Sequence, residues 1–273
     1  MTQTLSDHQA QTETISGFRA ALSAEFSKLR TLRFPRAVMV FAVAIAAAGA
    51  ILFLLTIEIT QGEPLAQLSE ADILSTTLLG VDATTIVLIV LGSWIITSEY
   101  GTGMIYTSLV ATPSRPVLFT AKNVVTVILA VLIGTLAIVA GVFVAEVIVI
   151  AQGLPSLGLG DPQLLRMMTG TLLMAPFYAV LATAAGFIVR NTGGAVMLTL
   201  TVMLAPAVIN MLPHTWQHVL LPLFPDAAFM GITGLVDPDQ AGYLTSFGGA
   251  IVLGCWLVVF FAAGFILFSR RDA

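Results

Sequence analysis

The sequence has few of the residues on which soluble enzymes depend. Its one cysteine, Cys255, excludes an internal disulfide. Only 10% of the 273 residues are charged, compared with about 25% in soluble domains, and 58% are hydrophobic, with a mean hydropathy of +0.99. This composition excludes an ordinary soluble domain and indicates a polytopic membrane protein.

Lysine is also rare, since the chain contains only Lys28 and Lys122. Neither follows a glycine, which excludes the phosphate-binding loop G-x-x-x-x-G-K-[ST]. The sequence has no H-E-x-x-H motif and no Ser-His-Asp arrangement suggests itself within the apolar runs, so a membrane protease is not expected. The chain is therefore not expected to be an enzyme, and any ATP-driven work would need an ATPase site on another polypeptide.

Histidine is equally scarce, with His8, His214 and His218 as its three positions. His214 and His218 are four residues apart and could share one face of a helix, but the sequence supplies no third ligand beside them. An interfacial role beside Trp216 fits them better. We expect no metal ion, no resident cofactor and no nucleic-acid partner for this chain.

The residues that are abundant form six apolar runs, each long enough to cross a hydrocarbon core of about 30 Å at about 1.5 Å per helical residue. The predicted spans cover residues 37–57, 76–97, 123–150, 167–189, 192–212 and 247–268. An even number of spans places both termini on the same side. The sequence predicts an all-α membrane protein whose residues 17–273 form a single transmembrane domain.

The N-terminal region divides into two parts. Residues 1–16 are polar and weakly acidic, and they predict a disordered cytoplasmic tail without the basic and apolar regions of a secretory signal. Residues 17–36 carry apolar side chains at helical spacing, with basic charge elsewhere, which is typical of an amphipathic helix in the membrane interface. We expect Pro35 to end this helix. A basic flank that only orients the first span is the alternative. The residues that define the predicted interfacial helix are Phe18, Leu22, Phe26, Lys28, Leu29, Arg30 and Arg33.

The distribution of basic residues predicts the orientation. If the N-terminus is cytoplasmic, every one of the eleven Lys and Arg residues except Arg166 faces the cytoplasm, while the opposite loops carry many of the Asp and Glu residues. This asymmetry predicts a multi-pass protein of the cell (cytoplasmic) membrane with both termini cytoplasmic.

Two features are predicted for the outer side. Residues 213–242 contain apolar stretches too short to span, and Pro222 and Pro225 would mark a bend between short outer-leaflet helices; a loop packed over the bundle is the alternative. Asp82 and Glu146 lie near the outer ends of their spans. They either sit at the headgroup boundary or line the outward end of a translocation path.

One long polar break, residues 98–122, carries basic charge and helix-breaking residues on the predicted cytoplasmic side. Gly101 and Gly103 should loosen the end of the second span, and a short helix should follow until Thr112 and Pro113. A short helix tied closely to two spans suits the contact with a soluble partner.

The order E-Y-G-T-G-M-I, A-T-P-S-R and then A-K at the next span resembles the type-2 ABC transporter permease family. The resemblance extends over nearly the whole chain. It implies the membrane subunit of an exporter for a hydrophobic or amphipathic substrate, acting with a second permease protomer and two cytoplasmic ATP-binding cassette subunits that bind ATP and Mg²⁺. The predicted interfacial helix and the break would contact the ATPase. In the break, the residues this implies are Glu99, Tyr100, Gly101, Thr102, Gly103, Met104, Ile105, Thr112, Pro113 and Arg115.

The sequence departs from that family at one place, because Tyr106 and Thr107 stand where many relatives have a basic residue. Two other classes also fit the composition: a non-transporting membrane sensor or assembly module, and an ion-coupled secondary transporter. The second lacks evident mid-membrane charges and inverted repeats. Co-purification with an ATPase that has a phosphate-binding loop would separate the exporter from both.

Overall fold

The computed structural model describes residues 2–234 and 239–271, with side chains described from residue 17 onwards except at residue 61. Asp237, which the sequence places in an outer loop, lies outside these residues. The described chain is helical, without a strand. Its helices are α1 (Thr2–Thr31), α2 (Arg33–Leu55), α3 (Ile57–Gln61), α4 (Glu70–Thr102), α5 (Met104–Ala111), α6 (Arg115–Ala151), α7 (Pro162–Val189), α8 (Thr192–Ile209), α9 (His214–Leu220), α10 (Pro225–Thr233) and α11 (Ser246–Arg270).

Six of the described helices, α2, α4, α6, α7, α8 and α11, are long and apolar enough to cross a membrane. They correspond to the six predicted spans, which confirms the number of spans and the all-α class. The ends of the helices differ from those of the predicted spans. The first span ends at Leu55, where the Thr56 hydroxyl donates a hydrogen bond of 2.8 Å to the Leu52 carbonyl, and the fifth ends at Ile209 instead of residue 212.

The N-terminal helix differs from the prediction at both ends. Its backbone is helical from Thr2, ahead of the predicted start at residue 17, and the disorder of residues 1–16 stays a prediction. No proline or glycine before Gly17 interrupts a helix there. The break before the first span falls at Leu32, whose backbone is extended, and not at Pro35. Pro35 lies in the first turn of α2, where a missing N–H costs no intrahelical hydrogen bond.

One face of α1 packs against protein. Ala21, Glu25 and Leu29 are buried at a spacing of four residues, and Leu22 and Phe26 pack against the core beside them. These residues include much of the predicted apolar face, which therefore contacts the bundle instead of lipid alone. The location of α1 in a membrane interface stays a prediction.

Small residues set the distances between the central helices. Ala42, Ala46 and Ala50 of α2 are fully buried, which agrees with close helix approach along the first span. A Cβ atom at Gly49 would lie 2.6 Å from the Gly80 Cα of α4. One at Gly92 of α4 would collide with the Ala179 carbonyl oxygen of α7. The backbones at both crossings are therefore in direct contact.

The bundle has two chemically different ends. At the first end, Lys28, Arg115, Lys122, Arg190 and Arg271 all contact the ends of neighbouring helices, and we call it the basic end. At the other end lie the connections α2–α4, α6–α7 and α8–α11. We call this the acidic end, after the described residues Glu58, Glu63, Glu70, Asp72, Asp161, Asp226 and Asp239. This separation of charge agrees with the distribution on which the predicted orientation rests.

The segment between α8 and α11 contains the predicted short helices. α9 has no buried residue, whereas α10 buries Ala227, Ala228 and Phe229 against α7 and α11. The bend between them falls at Leu221–Leu223 and Phe224, next to both predicted prolines. α10 therefore matches the alternative of a segment packed over the bundle, while α9 remains exposed.

Candidate functional site

The polar break folds as a short helix between two backbone interruptions, as predicted. α4 continues through Gly101 and ends at Thr102, so Gly101 does not loosen the helix as expected. Gly103 has φ of 72°, in the left-handed region, which a residue with a side chain adopts only with strain. α5 then runs to Ala111, and Thr112, Pro113 and Ser114 connect it to α6.

The two faces of α5 differ in exposure. Ile105 and Ser108 point into the bundle, where Ile105 joins a buried cluster with Ile96 and Leu118. The opposite face is exposed and mostly apolar, with Met104, Tyr106 and Val110 exposed by 46%, 58% and 83% beside the exposed Thr107. These three residues form a surface at the basic end that we call the α5 outer face.

Four charged residues from three helices meet directly above α5. Lys122 of α6 donates from Nζ to Glu25 Oε2 at 2.9 Å and to Glu99 Oε1 at 2.7 Å. Lys28 of α1 donates to Glu25 Oε1 at 2.7 Å, to Glu99 Oε1 at 2.8 Å and to Ser108 Oγ at 3.0 Å. The Ser108 hydroxyl donates in turn to Glu99 Oε2 at 3.1 Å. We call these five residues the ion-pair cluster.

The charges of the cluster balance. Two lysines and two glutamates give a formal charge of zero, and each of the four carboxylate oxygens accepts at least one hydrogen bond. Such saturation is what makes buried charge tolerable. Burial by itself would lower the pKa of Lys28, but hydrogen bonds to Glu25 and Glu99 and their charges outweigh it, so the pKa of Lys28 is raised above its ordinary value.

The ion-pair cluster connects four helices that contain predicted ATPase-coupling residues, α1, α4, α5 and α6. Lys122 is fully buried and Glu99 is only 5% exposed, so these groups cannot exchange their partners for water without moving a helix. Separating one partner would leave an unpaired buried charge, which costs about 3–5 kcal/mol. The ends of α1, α4 and α6 and the inner face of α5 are thus expected to move as one unit.

Sequence reasoning selected only part of this cluster. The sequence predicted Glu99 as a residue of the polar break and Lys28 as a residue of the interfacial helix. In the structure the two form an ion pair. Glu25, Ser108 and Lys122 were not selected as site residues. A usable signal was present, because the chain has just two lysines and both lie in this cluster.

The other selected residues lie around the cluster. The Arg190 Cζ atom lies over the Tyr100 ring, 4.8 Å from the ring centroid. Thr102, Met104 and Pro113 are exposed at the basic end. Leu22, Phe26 and Leu29 of α1 pack against the bundle core, and Phe18 is partly buried. Arg30 of α1 and Arg33 at the start of α2 are exposed and apart from the cluster.

Arg115 binds within the chain. Its Nη1 donates to the carbonyl oxygens of Phe268, Ser269 and Arg271 at 2.7, 2.9 and 3.1 Å, and its guanidinium lies 5.8 Å from the centre of the Phe268 ring. The last carbonyls of a helix lack intrahelical donors, so a cation there satisfies them. Arg115 therefore joins the start of α6 to the end of α11.

Replacing Arg115 by glutamine is expected to loosen the last turn of α11. The loss of a charged donor to three carbonyls should cost about 1–2 kcal/mol locally, and amide hydrogen exchange in residues 266–270 should rise about 5- to 30-fold. Exchange in the middle of α11 is the internal control. Unchanged exchange in the last turn would contradict the capping role.

The two acidic residues proposed for a translocation path lie in different surroundings. Glu146 accepts a hydrogen bond of 3.1 Å from the Leu157 backbone N–H, so it anchors the α6–α7 connection. Asp82 instead lines a cavity between α4, α7 and α10, opposite Asp226. Their role in transport stays a prediction.

Comparison of the sequence with known protein families gives a match. Residues 36–273 match the family model of a protein of unknown function, DUF2705. The chain belongs to the DUF2705 family. A search of curated proteins found no match to it. The DUF2705 match includes Glu99, Ser108 and Lys122 but begins after Glu25 and Lys28, so the α1 half of the ion-pair cluster lies outside the matched residues.

Proposed function

We propose that this DUF2705 chain is the membrane permease subunit of an ATP-driven ABC exporter. It would move a hydrophobic or amphipathic substrate out of the cytoplasm or the inner leaflet of the cell membrane. In this proposal the basic end faces the cytoplasm, both termini are cytoplasmic, and two separate ATPase subunits bind ATP and Mg²⁺. A second permease protomer completes the assembly.

The observation that supports the proposal best is the ion-pair cluster. An ATPase that moves must act on a part of the permease that passes the motion into the membrane. Through Ser108, α5 is hydrogen-bonded to Glu99 of α4 and Lys28 of α1, and Glu99 is bonded to Lys122 of α6. A displacement of α5 would therefore displace α1, α4 and α6 together, because none of the buried charges can be left unpaired.

The α5 outer face would receive the ATPase. Met104, Tyr106 and Val110 expose apolar surface at the end of the bundle that carries the basic residues, and apolar residues at the centre of an interface contribute most to binding. Gly103 and Pro113 bound α5, so the short helix is a distinct unit at this end. This arrangement suits a helix that enters a cleft on a soluble domain.

Exposed faces elsewhere suit the second protomer or lipid. Large apolar residues on α2, α8 and α11, including Val40, Met197, Val208 and Val258, are exposed by 64–67%. Inside a bilayer these faces contact acyl chains or another protein. The proposal therefore includes a lipid bilayer as the surroundings of α2, α8 and α11.

The proposal is tested by an acidic substitution on the α5 outer face. The chain is reconstituted in nanodiscs with an ATPase that has a phosphate-binding loop and co-purifies with it, and complex formation and ATP hydrolysis are measured. Val110→Asp should weaken ATPase binding at least about tenfold, which is about 1.4 kcal/mol, because a charge replaces an apolar contact at the centre of the interface.

The chain offers a matched control for this substitution. Ile59 in α3 is exposed by 84%, compared with 83% for Val110, but it lies at the acidic end. Ile59→Asp should leave ATPase binding unchanged. Equal effects of the two variants would argue against the α5 outer face. If the wild-type chain neither binds the ATPase nor changes its hydrolysis rate, a non-transporting membrane module or an ion-coupled transporter would be favoured.

A further inference from the structure

A second polar site lies towards the acidic end, away from the ion-pair cluster. A cavity of about 210 Å³ between α4, α7 and α10 is lined by Asp82 of α4 and Asp226 of α10. The rest of the lining is formed by hydroxyl groups and by apolar side chains, among them three methionines, Met167, Met174 and Met230. The two carboxyl groups therefore share one enclosed, weakly polar space.

Two polar atoms at this site have no hydrogen-bond partner among the described residues. Oδ1 of Asp82 is buried and accepts no hydrogen bond. The Tyr178 side chain of α7 is fully buried, and its hydroxyl also lacks a partner. The Tyr178 ring lies 6.2 Å from that of Phe229, and Phe229 lines the cavity together with Asp82 and Asp226. Buried polar groups are normally satisfied, so these atoms indicate a missing ligand or proton.

No basic side chain neutralises the two carboxyl groups within the described residues. The charged residue of α7 nearest in sequence to this cavity, Arg166, donates to the carbonyl oxygens of Ile232 and Gly231 and to Ser246 Oγ. α8 carries no charged residue, and the one on α11, Arg270, is in the last turn at the basic end.

Glu99, the other acidic residue within α4, is paired in the ion-pair cluster at the basic end, and the remaining acidic residues of the packed helices lie at helix starts and are occupied. Asp72 accepts from Ser69, Glu70 accepts from the Gly158 N–H, and Asp161 accepts from the Gln163 N–H. They lie at the acidic end, and none of them lines the cavity. The charge in the cavity is therefore set by Asp82 and Asp226.

We propose that Asp82 and Asp226 form a proton-binding pair that takes up one proton in their common cavity and keeps α10 packed on α7. Two ionised carboxylates in one cavity without a cation would repel each other and lose their hydration. One proton on the pair removes the repulsion, because only one of the two carboxyl groups then carries a charge. Burial raises the pKa of Asp226 above its ordinary value, which acts in the same direction.

The sign of the pH effect follows from this arrangement. A carboxyl whose pKa is raised on folding binds its proton more tightly in the folded state than in the unfolded state. Its contribution to stability is complete below the unfolded pKa and is lost as pH rises through the folded pKa. The contact of α10 with α7 should therefore loosen with rising pH.

Trp256 provides a reporter for this change. Its indole N–H donates to the Leu223 carbonyl at 2.8 Å, and its ring lies 5.9 Å from that of Phe224, directly before α10. The chain has three tryptophans, so replacing Trp94 and Trp216 by phenylalanine leaves Trp256 as the single fluorophore. The full chain in nanodiscs is titrated from about pH 5 to about pH 9, bracketing a raised carboxyl pKa.

The variant that keeps only Trp256 should show one fluorescence transition over this pH range. Adding Asp82→Asn or Asp226→Asn should abolish the transition. Asparagine resembles a protonated carboxyl in shape and charge, so both variants should also be at least as thermally stable as the parent at about pH 8. Glu63→Gln, at an exposed position of the same end, is the control and should retain the transition.

Three results would overturn the proton-binding pair. The first is a transition that persists in either asparagine variant, and the second is fluorescence that does not change over the whole range. The third is a transition that disappears in chelator-treated protein and returns on adding a metal ion. None of these results depends on an ATPase, so the proposed export function is tested separately.

Discussion

Replacing Lys122 by methionine is expected to lower the free energy of unfolding by about 3–5 kcal/mol. Lys122 Nζ is fully buried and is bound by Glu25 and Glu99. Without it, Lys28 alone faces two carboxylates, and one negative charge remains buried without a partner. Reversible unfolding in mixed micelles, followed by tryptophan fluorescence, measures the change.

Lys28 supplies the comparison for this prediction. The side chain of Lys28 is 29% exposed, whereas that of Lys122 is 0% exposed, so water can solvate the carboxylates that Lys28→Met leaves behind. Lys28→Met should cost less than Lys122→Met. Adding Glu99→Gln to Lys122→Met restores a neutral cluster and should recover part of the lost stability. If the two lysine variants lose equal stability and the double variant is strictly additive, the cluster is not a coupled unit.

Gly92→Ala is expected to destabilise the bundle by about 3 kcal/mol, although alanine is the better helix former. A Cβ atom at this position would collide with the Ala179 carbonyl oxygen and approach the Ala179 Cα to 3.2 Å. Both are backbone atoms of α7, so no side-chain rotation relieves the collision. α4 and α7 would have to separate along the central crossing of the bundle.

The same substitution at Gly101 is the control, because Gly101 lies in the same helix. A Cβ atom there has no neighbour within 4 Å, so only the helix propensity changes. Gly101→Ala should stabilise the protein by about 0.5–1 kcal/mol. If Gly92→Ala lowers the free energy of unfolding and Gly101→Ala raises it in the same measurement, the close crossing of α4 and α7 is confirmed. A neutral or stabilising Gly92→Ala would show that α4 and α7 are farther apart.

The composition and the periodicity of the sequence were enough to determine the architecture. A run of about 20 apolar residues has one stable form in a membrane, a helix, because its backbone groups must be satisfied within the segment. The same local rules predicted α5, since glycine favours the left-handed backbone that ends α4, and Pro113 follows the end of α5. The boundary at Pro35 was wrong because proline is tolerated in a first turn.

Tertiary structure alone decided which charged residues meet. Glu25, Glu99 and Lys122 are separated by 23 to 97 positions, and Asp82 and Asp226 belong to a central helix and to a short helix whose packing no local pattern specifies. A sequence pattern reports the period of one element, whereas an ion pair depends on the rotation and depth of two or more helices. Those are set by contacts such as Gly49 with Gly80 and Gly92 with Ala179, where the absence of a side chain fixes how closely backbones approach.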